Sequence, residues 1–471
     1  MPVPAELIDN IIGQVEDRAS LESCCLAASV FVHPCQKRLH ASLKLTLSPT
    51  TLDFWALAAY HFQKAPHLTQ HVIHLTITLE KNVGTETEGD FDPDIESTYF
   101  ARFDKLQTVT IAGMGRAQLP WATFPETAAS AVAALLMDRC TRPLKSIKLV
   151  YFAITVPVVM LCLDASETLE LVGCITQEIG TVDGSVLDIG LLPTGSRPPA
   201  KSIIVSSNQS MLELLATSQL QSRLRNIHSL SIRRAGDEVE AIVTLLTVVA
   251  PTIRKIRLPS MIDKHPVMLS SLGFPSLPSS WRMLRILKIT IDIKILEQPL
   301  SESWIMMQIA EVILSPGASP QLTELVIETH VEIKPIRKPY TDADLQAHVE
   351  RRYHPFLNDG GHYSSDEELA VTDVPPEFSQ PISYKFDAAT LAALDSACTL
   401  HTGLATLRFL LEIDFPTPAR RHHEPEEESR HPYNAVQFSA CRDQLEAVLS
   451  QTTAVGRLTI ENQLPARYCY Y

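Results

Sequence analysis

A short apolar pattern recurs along most of this chain and restricts the folds that the chain can adopt. The pattern is an apolar residue, two variable positions, a second apolar residue, one variable position and a third apolar residue. Clear copies lie at residues 72–77, 106–111, 144–149, 227–232, 253–258, 284–289, 322–327, 404–409 and 455–460, and weaker ones at 169–171 and 203–205. In an extended strand, residues two apart point to the same side. Each copy therefore predicts a strand with one buried face.

Helix-like segments separate these predicted strands. They lie at residues 54–62, 127–140, 211–224, 239–249, 304–314 and 438–449. A helix between two strands returns the chain to the same end of the sheet, so the strands are expected to be parallel. One such repeat cannot bury its apolar face alone, whereas stacked repeats share a continuous core. The pattern predicts an α/β fold over residues 48–471, an irregular solenoid with parallel strands and outer helices. A generic α/β domain is the alternative.

The first 45 residues follow a different pattern, which predicts short helices. Pro4 suits a first helical turn, and an apolar stripe follows at Leu7, Ile8, Ile11, Ile12 and Val15. Asp17 or Ser20 can cap a second helix, whose stripe is Leu21, Cys24, Cys25 and Ala28. His33-Pro34 is expected to break or restart the chain, and Leu39, Leu43 and Leu45 to close the unit. So small a helical unit is marginal on its own, and covering the open end of the following fold is one role for it.

This segment resembles an F-box, most closely the F-box at the start of many fungal proteins. The resemblance rests on residues 3–8 (Val-Pro-Ala-Glu-Leu-Ile), Ile11-Ile12, residues 21–26 (Leu-Glu-Ser-Cys-Cys-Leu) and residues 39–43 (Leu-His-Ala-Ser-Leu). It implies a three-helix module over residues 1–47 that docks on the Skp-type adaptor of a cullin–RING ubiquitin ligase. The residues implied to contact the adaptor are Pro4, Leu7, Ile8, Leu26 and Phe31. The sequence departs from the family at Val3, where members have Leu, and at Ser29-Val30-Phe31, where many have Arg-Ser-Trp or Arg-x-Trp.

The remainder resembles a degenerate leucine-rich-repeat horseshoe, such as commonly follows a fungal F-box. The asparagine or cysteine ladder of well-formed repeats is absent apart from Cys174 after Leu171. The resemblance implies a wide concave sheet face that binds a target protein. Two polar, turn-rich segments, 331–383 and 416–434, interrupt the pattern and are expected to be loop insertions.

Composition excludes several classes of partner. The formal net charge is −14, which argues against a nucleic-acid or acidic-membrane partner. The nine cysteines are odd in number and lack paired spacing, so they are expected to be reduced thiols in a cytoplasmic or nuclear protein. The N-terminus lacks the pattern of a secretory signal. The longest uncharged apolar run, residues 149–163, is too short to span a bilayer, and is interpreted as buried strand.

The sequence contains no recognisable catalytic, cofactor or metal constellation. His71 and His74 lie three residues apart on a predicted strand and would point to opposite faces. His422 and His423 with Glu424 could chelate a metal but lie in a charged loop. Gly113-Met-Gly115 lacks the third glycine of a phosphate-binding loop, and Cys24-Cys25 favours core packing over nucleophilic chemistry.

These features predict a non-catalytic substrate-receptor subunit of a cullin–RING (SCF-type) ubiquitin ligase. In this interpretation the N-terminal helices bind the adaptor and the solenoid binds a target protein. Two alternatives stay open. One is a repeat scaffold without a ligase role, in which the first helices serve as an end cap. The other is a hydrolase with its site in the 331–434 region.

Overall fold

The computed structural model describes residues 4–47, 60, 62–79, 103–114, 118–121, 126–177, 200–206, 209–234, 239–259, 277–295, 309–333, 388–414 and 432–462. The chain divides into two compact units. The first comprises Met1–Leu287 with Gly317–Leu322, and the second Lys288–Pro316 with Thr323–Tyr471.

The first unit begins with three helices, α1 (Ala5–Gly13), α2 (Arg18–Ala27) and α3 (Ser29–Leu39). Asp17 caps α2, because its carboxylate accepts a bond of 2.7 Å from the backbone N–H of Ser20. Hydrogen bonds from Ser20, first from its side chain and then from its backbone N–H, lower the pKa of Asp17. The guanidinium of Arg38 donates to the carbonyls of Ile12 and, at 2.5 Å, Val15, and so adds a hydrogen-bonding partner at the C-terminal end of α1.

A hydrophobic core holds the three helices together. Its buried residues are Ile8, Ile12, Leu21 and Cys35, and the partly buried residues packed against them are Val15, Cys24, Cys25, Phe31 and Leu39. The expected break at His33-Pro34 is wrong, because Pro34 lies inside α3. Pro34 is buried, and apolar burial of its ring opposes the cost of one missing helical hydrogen bond.

The strands of the first unit form a parallel sheet in nearly the order in which they occur along the chain. They are β1 (Ser42–Leu47), β2 (His74–Leu79), β3 (Thr108–Gly113), β5 (Ser146–Val150), β7 (Thr168–Val172), β9 (Ser202–Ser206), β10 (Ser229–Arg234) and β11 (Lys255–Leu258). A second, small sheet consists of β4 (Leu119–Pro120), β6 (Phe152–Ile154) and β8 (Ile175–Thr176). Each predicted strand from β2 to β11 is present, and the pairings are parallel as expected.

Strand β1 departs from the sequence-based expectation. Leu43 and Leu45 were expected to close the helical unit, but they lie in a strand that pairs in register with β2. Leu43 is opposite Leu75, and Leu45 is opposite Ile77. The chain therefore enters the sheet directly after α3.

The helices of the first unit connect these strands. They are α4 (Glu126–Arg139), α5 (Val156–Ala165), α6 (Gln209–Ala216), α7 (Ser218–Leu224) and α8 (Val239–Val249), with a 3₁₀ turn at Pro66–His71. The apolar run 149–163 is not one strand, because most of it forms β6 and α5. Pro157 lies in the first turn of α5, where its missing N–H has no partner to lose. The run is buried, as expected: eight of the ten residues of α5 are buried.

The same hydrogen-bond arrangement recurs where the strands begin. The carbonyl of Ala41 accepts from the consecutive N–H groups of Ile73 and His74. The carbonyls of Ile73, Gln107, Glu167, Lys201, His228 and Arg254 each accept in the same way from two consecutive N–H groups. We call this arrangement the shared-carbonyl junction. It fixes the start of one strand against the start of its neighbour.

The described part of the second unit contains four strands and several helical segments. The strands, in sheet order, are β12 (Ile286–Ile295, which begins in the first unit), β13 (Glu324–Ile333), β14 (Thr406–Asp414) and β15 (Leu458–Asn462). The helical segments are a π-helical turn at Ile309–Ile313, α9 (Ala388–Leu400), α10 (Pro432–Val448) and α11 (Ser450–Ala454). Residues 331–333 continue β13, and 432–434 begin α10. The rest of the two predicted insertions lies outside the described residues.

Candidate functional site

Four large apolar side chains of the first three helices are exposed. The exposed fractions are 52% for Leu7, 57% for Ile11, 89% for Leu26 and 51% for Val30. Leu7 and Ile11 lie four residues apart, on the same side of α1. We call these four residues the apolar helical surface. Full burial of a leucine-sized side chain contributes about 1.5–3 kcal/mol, so coverage of this surface by another protein would be favourable.

The structure separates the five residues that the sequence assigned to adaptor contact. Pro4, Leu7 and Leu26 are exposed, and Phe31 is partly buried against the helical core. Ile8 is 4% exposed and belongs to that core, so its side chain is not at the surface of the chain.

Two residues of the apolar helical surface were not among the predicted contacts. Ile11 was detectable from its spacing of four residues from Leu7. Val30 was not, because helical spacing alone does not show which residue of Val30-Phe31 faces the core. In the structure Ala28 is extended and α3 begins at Ser29. Val30 is exposed and Phe31 packs inward.

The solvent-facing side of the first unit's sheet is a second candidate surface, which we call the open face. The residues in register across its middle are Lys44, Thr76, Thr110, Lys148, Glu170, Ile204, Ser231 and Arg257. Glu170 lies 3.4 Å from the Lys148 ammonium and 3.4 Å from the Arg233 guanidinium. The alternate side chains of these strands are the buried apolar residues that the sequence pattern predicted.

The second unit has its own charged network on strands β12 to β14. Buried Glu328 lies 2.5 Å from the Lys288 ammonium. Buried Glu412 lies 2.6 Å from Nδ1 of His330. Both buried carboxylates therefore have cationic or ring-nitrogen partners, as buried charges require.

Arg408 joins strands of the second unit. Its guanidinium lies 3.0 Å from carboxylate oxygens of Glu324 on β13 and Glu461 on β15. The hydrogen bonds that Arg408 donates to Glu461 and Glu324 raise its pKa. Arg408 on β14 is therefore linked by ion pairs to β13 and to β15.

Five buried thiols of the described residues are poor nucleophiles. None of the eight cysteines in the described part of the chain forms a disulfide. Burial raises the pKa of Cys140 and Cys174 to about 11, that of Cys398 and Cys441 to about 12, and that of Cys162 as well. Since the thiolate is the reactive form, these five side chains act as packing residues.

The histidines and metal candidates give no site within the described part of the chain. His71 is buried in the 3₁₀ turn, and His74 is exposed on β2, where Nδ1 lies 2.7 Å from Oγ1 of Thr108. Burial lowers the pKa of His71. No group of three metal-ligating side chains occurs among the described residues. His422, His423, Glu424 and Gly115 lie outside them.

Comparisons with known proteins were made for the whole sequence. No protein-family model matches the chain, and no curated protein matches it. Within the described ranges, no helix combines the length and the apolar character that crossing a bilayer requires. The apolar helical surface and the open face are therefore the two candidate functional surfaces of the described residues.

Proposed function

We propose that this protein is a non-catalytic substrate receptor of a cullin–RING ubiquitin ligase of the SCF type. Its first three helices act as an F-box and bind a Skp-type adaptor through the apolar helical surface. Its sheet-containing region acts as a leucine-rich-repeat-like solenoid that holds a target protein. The transfer of ubiquitin belongs to other subunits, and this chain raises the local concentration of target lysines. The protein acts in the cytoplasm or the nucleus.

The observation that carries the proposal is the exposure of Leu7, Ile11, Leu26 and Val30 beside a complete helical core. The core accounts for the stability of the three helices. It gives no reason for four further apolar side chains to lie in water. A partner protein supplies that reason, and the sequence of these helices resembles the F-box.

A pull-down with purified Skp-type adaptor tests the proposal. The variant Leu7→Asp/Leu26→Asp places two charges on the apolar helical surface. Both positions are exposed, at 52% and 89%, so the fold is expected to persist. Apolar anchors at an interface contribute about 2 kcal/mol or more each, so we expect adaptor affinity to fall at least about 100-fold.

The matched control is Leu400→Asp/Val455→Asp, which makes the same change at apolar residues of the second unit that are 72% and 52% exposed. This control should bind the adaptor like the wild type. Equal adaptor binding by wild type, test variant and control, or no binding by a folded wild type, contradicts the proposal.

A protein-interaction scaffold without a ligase role is the second candidate. It is favoured by the contact between α3 and the 3₁₀ turn that precedes β2. The rings of His33 and His71 lie 5.2 Å apart, edge to face. In this candidate the three helices cover the first repeat and bind no adaptor. The hydrolase alternative has no comparable observation, since most of residues 331–434 lie outside the described part.

A further inference from the structure

The open face of the first unit carries a positive charge that contrasts with the net charge of −14 of the whole chain. Its cations are Lys44, Lys148, Arg233, Lys255 and Arg257, which we call the basic face. Glu170 is the one carboxylate on this face among the described strand residues of the unit. Among these described strand residues, this side of the sheet is therefore locally cationic.

The geometry leaves cationic charge available on the basic face. Glu170 is shared between Lys148 and Arg233, at 3.4 Å from each. The side chains of these two cations remain 39% and 47% exposed. One carboxylate cannot neutralise two cations, so a net positive charge remains around this triad. Lys44 on β1 and Lys255 on β11 of the same sheet are exposed.

The neighbours of these cations are small and polar. The open face positions between them include Thr76, Thr110, Ser146, Ser202, Ser229 and Ser231. Such short side chains leave the ammonium and guanidinium groups as the most prominent features. Lys148 on β5 and Arg257 on β11 are four strand spacings apart, which corresponds to roughly 19 Å.

We propose that the basic face binds an acidic, extended segment of a partner protein. A stretch of about six extended residues covers this distance, and carboxylates on alternate residues can meet the cations. Serine and threonine hydroxyls can donate to the backbone carbonyls of such a segment. This inference does not depend on adaptor binding and applies equally to a scaffold.

The basic face is less suited to a nucleic acid. Single-stranded nucleic acids bind through aromatic side chains that stack on the bases. Apart from the ring of His74, the described strand residues of the open face are not aromatic.

Fluorescence anisotropy of the full chain with a labelled peptide tests the inference. The peptide has about twelve residues, with alternating glutamate and serine, and a second peptide carries glutamine in place of glutamate. We expect the glutamate peptide to bind at low salt, to weaken strongly at about 0.5 M salt, and to bind more tightly than the glutamine peptide. The variant Lys148→Gln/Arg233→Gln/Lys255→Gln should lose about tenfold in affinity, because it removes three cations whose exposed ion pairs are individually weak.

The matched control is Lys37→Gln/Lys105→Gln/Arg442→Gln, which removes three exposed positive charges outside the open face. It should change peptide affinity less than about twofold.

Equal loss in both triple variants, or no binding of the glutamate peptide, overturns the inference. Tighter binding of an oligothymidine of equal charge would indicate a nucleic acid instead. A variant in which glutamine or asparagine replaces the carboxylates of residues 86–96 is also measured. If only this variant binds the peptide, the acidic segment of this chain itself occupies the basic face. Either of these two results overturns the inference. Adaptor pull-down by the Lys148→Gln/Arg233→Gln/Lys255→Gln variant should be unaffected.

Discussion

Adjacent residues of α1 differ sharply in their environment. Ile8 and Ile12 are 4% and 1% exposed, whereas Leu7 and Ile11 are 52% and 57% exposed. A residue moves by about 100° around a helix axis at each step, so a one-residue step separates core from surface. The two pairs therefore have different roles, in folding and in binding respectively.

Alanine substitution should distinguish these roles. Ile8→Ala removes buried methyl groups and leaves a cavity, so we expect it to destabilise the helical segment by about 2–4 kcal/mol. Leu7→Ala should change stability by less than about 1 kcal/mol, because the side chain already lies largely in water. Circular dichroism and hydrogen exchange of residues 5–39 measure both effects.

Adaptor affinity provides the complementary measurement. Leu7→Ala should weaken adaptor binding while leaving hydrogen exchange unchanged. If Leu7→Ala destabilises the helices as much as Ile8→Ala does, the division of α1 into core and surface is incorrect.

The sequence predicted the apolar stripe of α1 but not this division. Leu7, Ile8, Ile11, Ile12 and Val15 share one broad helical face, and their spacing is the same whether that face is covered by this chain or by another. Only the positions of α2 and α3 show which residues the chain itself covers. The assignment of Ile8 as a surface contact came from the resemblance, and the structure places it inside.

At the scale of elements, a buried carboxylate joins α9 to α11. Asp395, which is 2% exposed, accepts from the backbone N–H groups of Gln451 at 3.0 Å and Thr452 at 2.8 Å. These are N–H groups of the first turn of α11 that have no helical partner. Arg457, which follows α11, donates at 2.8 Å to the carbonyl of Cys398 and at 3.1 Å to that of His401. Asp395 thus binds the N-terminal end of α11, and Arg457 binds the C-terminal end of α9.

Asp395→Ala should destabilise the second unit by about 2–4 kcal/mol, because it removes a helix cap and leaves a buried N–H without a partner. Urea unfolding followed by circular dichroism measures the loss, and faster hydrogen exchange at residues 450–454 would locate it. Asp443→Ala is the control, since Asp443 is 63% exposed and pairs with Arg442 at 3.1 Å. The control should change stability by less than about 0.5 kcal/mol. Equal effects of the two substitutions would contradict the capping role of Asp395.

Elements were predictable where a pattern had a clear period and a partner. The predicted strands from β2 onward each had two apolar residues two positions apart in the sequence, and neighbouring copies supported one another. Strand β1 offered only Leu43 and Leu45 directly after a helix, so the two leucines were read as part of the helical unit. The run 149–163 was apolar throughout, and a fully buried helix such as α5 then has no period that distinguishes it from a strand.

At the scale of the whole molecule, the relation between the three helices and the sheet separates the two candidate functions. Removing residues 2–40 leaves Ala41 and β1 in place, so the shared-carbonyl junction to Ile73 and His74 is retained. If the helices are an adaptor-binding module, the melting temperature should fall by less than about 3 °C, which corresponds to about 1 kcal/mol. Thermal melting by circular dichroism makes this comparison with the full chain.

A larger fall would favour the end-cap role. The truncated chain should also lose adaptor binding and keep binding of the glutamate peptide, because the basic face lies on strands that are retained. Loss of both activities would indicate that the truncation unfolds the sheet, and would contradict the independence of the two surfaces.

The sheet order follows from the sequence because consecutive strands become neighbours, with β4, β6 and β8 set apart in the small sheet. The charges on the open face were not predicted. Periodicity identifies the buried positions of a strand, but it does not show which residues of neighbouring strands come together on the opposite face. Lys148, Glu170 and Arg233 are far apart along the chain, and only the register of β5, β7 and β10 brings them together.

The shared-carbonyl junction has a consequence for how such a protein can change over generations. It anchors the first residue of one strand to the preceding strand through backbone atoms alone, which every amino acid except proline supplies. Segments between two anchors can therefore gain or lose residues one at a time without shifting the rows of side chains on the sheet. Mutations can therefore change the side chains on the sheet and the lengths of the connections between strands independently of each other.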